Sequence, residues 1–386
     1  MHVTEVPKPA VTGRDRITGL DGVRGLAALF VVVHHCRLFS FPGFPADTGP
    51  LWLSPLLYGH LAVVVFIVLS GYSLALGPAG REWHLGRIRT FLRRRAWRII
   101  PAYWAALVFS FLVARLLVTE TPGVVPTGRS LLTYGFLVQD VVSAPSPNSA
   151  FWSIAVEAQL YLLFPLLLLL RRNIGAVALV VCVLTGVVLI EALSGQVPVF
   201  MSLLHLTPEF AVLFTLGAVT AGIRRDSRMP WSWLALAGGA VLVILIAVLG
   251  PVRAIGHYFW LDLLAAFPVA ALLAGLAQGR PSWLIRVLDS APLRFLGKCS
   301  YSLYLVHVPI VAVVSHLLVR AWLPAGTPAF LLTAVLAVPL AVLFARGFAA
   351  VFELPFHRHR SAAALLAAIR SKRHAQPGKG TGAPPA

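Results

Sequence analysis

The sequence predicts an all-α, polytopic membrane protein with about ten transmembrane helices and both termini in the cytoplasm. Three observations carry that expectation. Hydrophobic residues make up 58% of the 386-residue chain and charged residues 12%, whereas a soluble domain carries about 25% charge. Apolar runs of about the 20 residues that a bilayer requires recur along the chain. Lys and Arg then gather on alternate connecting loops. The composition excludes disorder and a coiled coil. Cysteines only at Cys36, Cys182 and Cys299 exclude a disulfide scaffold and make no metal-ligand spacing.

The runs lie near 20–38, 59–77, 99–118, 151–170, 174–193, 206–223, 231–250, 257–277, 299–319 and 329–350. The first follows a polar leader and precedes Arg37-Leu38-Phe39, so it is expected to be a retained span and not a cleaved signal peptide. Between the second and third lie seven arginines from Arg81 to Arg98. Residues 131–142 are apolar but short, and are expected to form a re-entrant or interfacial segment. Arg171 and Arg172 separate the fourth and fifth spans. Arg224, Arg225 and Arg228 follow the sixth, and Arg253 sits between the seventh and eighth. Arg280, Arg286, Arg294 and Lys298 precede the ninth.

Ten crossings place 25 of the 32 Lys and Arg residues on one side and five on the other, with Arg24 and Arg346 inside spans. The crowded side should be cytoplasmic. An eleventh crossing at 131–142 would invert every later loop and spoil the split. The expected division is therefore a cytoplasmic leader at 1–19, a ten-helix domain at 20–356 and a basic, disordered cytoplasmic tail at 357–386. Topology accounts for the net charge of +18, so no nucleic-acid partner is expected.

Ionisable side chains inside spans are costly, and each is a candidate for function. The first span holds Arg24 and, eleven residues on, His35. Their angular offset is about 20° beyond three helical turns, so they share a face about 16 Å apart along the axis. His34 points about 100° away. Two ordinary readings stand beside the functional one: Arg24 snorkels or pairs with Asp21 one turn earlier, and His35 caps the end of its span. Glu157, on the fourth span, is expected at the depth of His35, where a carboxylate would orient an imidazole. Trp152 and Tyr161 on the same span also read as interfacial anchors. Arginine forks at Arg94, Arg95 and Arg98 suit phosphate recognition, as they suit anionic lipid headgroups. Glu209 and Asp262 read as structural. A transporter of a polar or anionic solute is the alternative for such buried charges, but no repeated half supports it.

In order, the stretches Leu20-Asp21-Gly22-Val23-Arg24-Gly25 with His35, Val65–Tyr72, Arg93–Tyr103, Trp152–Glu157, Leu296–His307 and Glu353-Leu354-Pro355-Phe356 resemble the acyltransferase 3 family of membrane acyltransferases. Val306 and Val308 depart from it, standing where that family commonly has tryptophan. The resemblance implies an O-acyltransferase in the inner or plasma membrane, with no bound cofactor or metal. Its co-substrate would be acyl-CoA, with acetyl-CoA as the expected case. The acceptor would be a hydroxyl on a carbohydrate, cell-wall glycan or glycosylated small molecule. It also implies His35 as base with Glu157 orienting it. Arg24, Arg94, Arg95 and Arg98 would bind the donor, with Trp152, Tyr161, Tyr304 and His307 at the acceptor. Membrane lipid is the remaining expected partner.

Overall fold

The computed structural model describes residues 17–46, 49–119, 124–223, 226–359, 361, 363–365 and 367. Nearly all of the expected leader and most of the basic tail lie outside these residues, as do Arg224 and Arg225. Among the described residues there are helices and no strands. In lipid the helix satisfies every backbone hydrogen bond within one segment. Nine helical segments are long and apolar enough to cross a membrane, or ten if one bent pair counts as a single crossing. The chain is thus a polytopic all-α membrane protein.

The crossings follow the expected runs. They are α1 (Leu20–Ser40), α2 (His60–Ala79, entered through a 3-10 segment at Leu51–Tyr58), α3 (Ile88–Leu116), α5 (Trp152–Ile174) and α6 (Ala176–Leu193). The short run at 131–142 contributes only α4 (Gly128–Gly135). The sixth run does not make one straight helix: α7 (Pro198–Leu204) and α8 (Glu209–Thr220) meet at 56°. Thr207 at φ 48° and Pro208 stand at this break, and proline removes a helical donor.

The later crossings are α9 (Trp231–Gly256), α10 (Tyr258–Ala277), α13 (Ser300–Val313) and α14 (Thr327–Phe348). The short helices α11 (Ser282–Leu288) and α12 (Ala291–Lys298) lie between α10 and α13, and α15 (Leu354–Arg358) closes the array. Helix α9 breaks at Gly250 (φ 70°, ψ 168°) ahead of Pro251, a conformation that glycine reaches without strain. Both α13 and α14 continue as π-helical turns, Val314–Val319 and Ala349–Glu353.

Burial separates the centre from the rim. Of the spanning window, 78% is buried in α13 but only 6% in α9. Two glycine seams draw the central helices together. A Cβ on Gly22 would collide with the Leu288 carbonyl, and one on Gly297 with that of Asp21, so α1 lies backbone to backbone against α11 and α12. Gly71 and Gly217 make the same kind of contact between α2 and α8. Small residues allow this approach in membranes. Arg37, in the last turn of α1, is fully buried with its guanidinium 5.0 Å from the Phe41 ring centroid.

Candidate functional site

A cavity of about 750 Å³ opens among α1, α2, α3, α5, α13 and α14. Six basic residues line it: Arg24, Arg95, Arg98, Lys298, Arg346 and Arg358. They outnumber its three acids, Asp21, Glu157 and Glu353. The sequence pattern explains the convergence. Arg24 lies in the first turns of α1, Arg95 and Arg98 in the first turns of α3, and Lys298 ends α12 just before α13 begins. Arg24 donates to Ser73 Oγ at 2.9 Å and lies 3.9 Å from Asp21. Its pairing with Asp21 and its place in the cavity therefore coexist. The Arg95 guanidinium lies 5.7 Å from the Phe91 ring centroid and 6.0 Å from that of Tyr161.

Arg94 separates from its neighbours. It lines an adjoining cleft of about 340 Å³ with Arg81, Arg87 and Phe91, and Arg95 borders both spaces. Consecutive helical residues point about 100° apart, so three arginines close in sequence do not form one fork. Lys298, which the sequence reading counted only as topology, and Arg346, which it placed inside a span without a role, belong to the main cavity.

Glu157 does not reach His35. Its Oε1 accepts from Ser70 Oγ at 2.9 Å and from the Tyr161 hydroxyl, and no hydrogen bond among the described residues joins it to His35. Matched depth on two helices does not fix the direction of a side chain. Glu157 turns toward α2 and the cavity, where Tyr161 also lies.

The partner of His35 is His307. His35 Nδ1 lies 3.2 Å from His307 Nε2 and 2.9 Å from the Val31 carbonyl. His307 is fully buried, with its Nδ1 2.8 Å from the Tyr304 carbonyl and 3.2 Å from that of Leu303. His35 remains partly accessible, whereas His34 is buried and its Nδ1 donates to the Leu56 carbonyl at 2.6 Å. Tyr304 lines the cavity and shares a 2.7 Å hydrogen bond with Ser153 Oγ, and its ring centroid lies 5.8 Å from that of His307. Neither His35 nor His307 lines the cavity. The histidine pair stands beyond the Tyr304–Ser153 contact.

Trp152 also lies elsewhere. Its ring stacks on His60 with centroids 5.2 Å apart and planes at 5°, and Tyr258 stacks on the same imidazole at 4.2 Å. His60 Nε2 meets Asp262 Oδ2 at 2.7 Å, and Asp262 is fully buried. Trp152, expected at the acceptor, does not line the cavity; its indole covers the part-buried His60–Asp262 pair. Sequence reasoning passed over His60. The signal that could have found it is depth, since His60, Glu209 and Asp262 all stand in the first turns of apolar helices entered from the same side.

The comparisons agree with this architecture. Residues 17–346 match the acyltransferase domain family. The chain is 28% identical over 319 residues to the acyltransferase MdmB of Streptomyces mycarofaciens, covering 77% of this chain and 79% of the relative. It is 26% identical over 338 residues to the O-acetyltransferase OatA of Staphylococcus aureus, covering 80% of this chain and 53% of OatA, so it spans about half of that relative's length. No solved structure matches. The family match, which takes in Arg24, His35, Glu157 and His307, shows that this chain belongs to the acyltransferase family and is a multi-pass membrane O-acyltransferase.

Proposed function

We propose that the protein transfers an acyl group, acetyl in the simplest case, from acyl-CoA to a hydroxyl of a carbohydrate acceptor in the plasma membrane. One observation carries this reading. A single helix, α1, holds Arg24 in the cation-lined cavity and His35 eleven residues further on, beyond Tyr304. The anionic donor suits one end of that helix and a base stands toward the other.

The crowded basic loops make the cavity end cytoplasmic, which puts both termini there and lets acyl-CoA enter from the side where it is made. Arg24, Arg95 and Arg98 hold the donor's phosphates through charge-assisted hydrogen bonds. The thioester arm passes Tyr304 to reach His35. His35 Nε2 takes the proton of the acceptor hydroxyl as its oxygen attacks the thioester carbonyl. The C–S bond breaks, and the departing thiolate recovers that proton. Direct transfer needs no acyl-enzyme. Glu157 holds Tyr161 and Ser70 at the cavity wall and balances part of the arginine charge.

The test is incubation of purified protein in lipid nanodiscs with labelled acetyl-CoA and a panel of muropeptides and small glycosides. Label entering an acceptor in step with CoA release is expected. The reading fails if no member of the panel is labelled, or if the His35→Ala protein transfers as well as wild type.

A further inference from the structure

His307 is fully buried, sits off the cavity and carries no charge partner, yet it faces His35, an imidazole that is itself only partly buried. The hydrogen-bond inventory decides what it does. Carbonyl oxygens only accept. His307 Nδ1 lies 2.8 Å from the Tyr304 carbonyl and 3.2 Å from that of Leu303, so its hydrogen is on Nδ1. A neutral imidazole has one such hydrogen, and His307 Nε2 is therefore a lone pair. His35 Nδ1 lies 2.9 Å from the Val31 carbonyl and must likewise carry its hydrogen. That hydrogen is shared with His307 Nε2 at 3.2 Å. A doubly protonated His307 would set two N–H groups against each other, which excludes it. The only ring nitrogen of His35 left bare is Nε2.

We infer that His307 is a positioning residue for the transfer reaction, its Nε2 accepting from His35 Nδ1–H so that Nε2 of His35 is the atom that takes the acceptor's proton. This rests on His35 being the base. The bond serves the role that a carboxylate has in a hydrolase triad, with a neutral acceptor in its place. When His35 becomes an imidazolium, Nδ1–H becomes a stronger donor, so the bond gains strength as the proton arrives. Removing a partner of a charged hydrogen-bonding group costs enough to slow a step about 10- to 100-fold.

The experiment compares His307→Leu, which fills the space without an acceptor, with His307→Gln, whose amide oxygen can accept near the position of Nε2. With acetyl-CoA and an acceptor from the panel above, His307→Leu should lose about 10- to 100-fold in kcat with the donor KM unchanged. His307→Gln should recover to within about threefold of wild type. Adding His307→Leu to His35→Ala should cost nothing further, because residues acting as a unit are not additive. Wild-type kcat in His307→Leu, or a folded His307→Gln as slow as His307→Leu, would overturn the inference while leaving His35 as base. Loss of the His35→Ala effect would instead remove the base reading itself. If the variants fail to fold, 15N spectra of histidine-labelled wild-type protein in lipid decide: a hydrogen on His307 Nε2 refutes the assignment, and a bare Nε2 with protonated Nδ1 upholds it.

Discussion

Two half-buried imidazoles in this molecule have opposite surroundings. His60 has a carboxylate at 2.7 Å and lies stacked on Trp152 and Tyr258. His35 has no carboxylate, only the neutral His307 and a backbone carbonyl. By the usual expectation that a carboxylate marks the working histidine, His60 would be the base. Yet its carboxylate-facing nitrogen is spent on Asp262 and its ring faces are covered. Both imidazoles are partly accessible, but His35 meets the rings of His34 and His307 edge-on, and no aromatic ring among the described residues stacks on its face. Near a membrane-embedded site, the carboxylate next to a histidine can signal a clasp between helices, here α2 and α10, while the imidazole proposed as the base is the one left uncompensated.

That contrast can be broken or sharpened by mutation. The largest effect is expected at His35: replacement by alanine should lower turnover 10²–10⁴-fold with the protein still inserted, whereas folded His60→Ala should turn over normally. Turnover at saturating acetyl-CoA checks this, and a dead but folded His60→Ala would reverse the assignment. Next comes Asp262→Ala, which strips the partner from a buried pair and should cost about 3 kcal/mol of stability, read as an earlier unfolding midpoint in detergent. Glu157→Gln should lower kcat about tenfold, less than His35→Ala, because it loosens Tyr161 without touching the imidazole. Initial rates at saturating donor separate these cases. Smaller still, Arg95→Gln should raise the donor KM about tenfold and Arg94→Gln about threefold, since only Arg95 borders both the main cavity and the cleft. Equal shifts would mean that the two spaces bind the donor as one.

Much of this was legible in the sequence. The ten apolar runs appear as helices, and residues 131–142 yield a short helix and no span, because length and hydropathy are local properties that the bilayer reads directly. The break between α7 and α8 was hidden, since hydropathy averages over a bend. Of the four arginines expected at the donor, Arg24, Arg95 and Arg98 line one cavity and Arg94 lines the adjoining cleft. The partners of His35 and Glu157 were not legible. Helical period and depth give height and azimuth on one helix, but not which neighbouring helix stands at that azimuth. His307 and Glu157 exchange expected places for that reason, and Trp152 finds His60, a partner no spacing could suggest. Hydropathy was equally silent on burial: the α9 and α13 windows have mean hydropathies of 2.5 and 2.0, yet one faces outward and the other is the core.

The glycine seam along α1 bears on how this protein tolerates change. Arg24 lies between Gly22 and Gly25, where the helix touches α11 and α12 through main-chain atoms. Elsewhere in the core, one side chain can shrink while another grows, and the helices settle at a new spacing. A contact made of backbone has no such slack. The position of Arg24, the proposed anchor for the donor, is thus referenced to the peptide chain itself, and side chains around it can change without moving it. On the proposed reading, substitutions could reshape the walls around a different acceptor while the donor end stays in register.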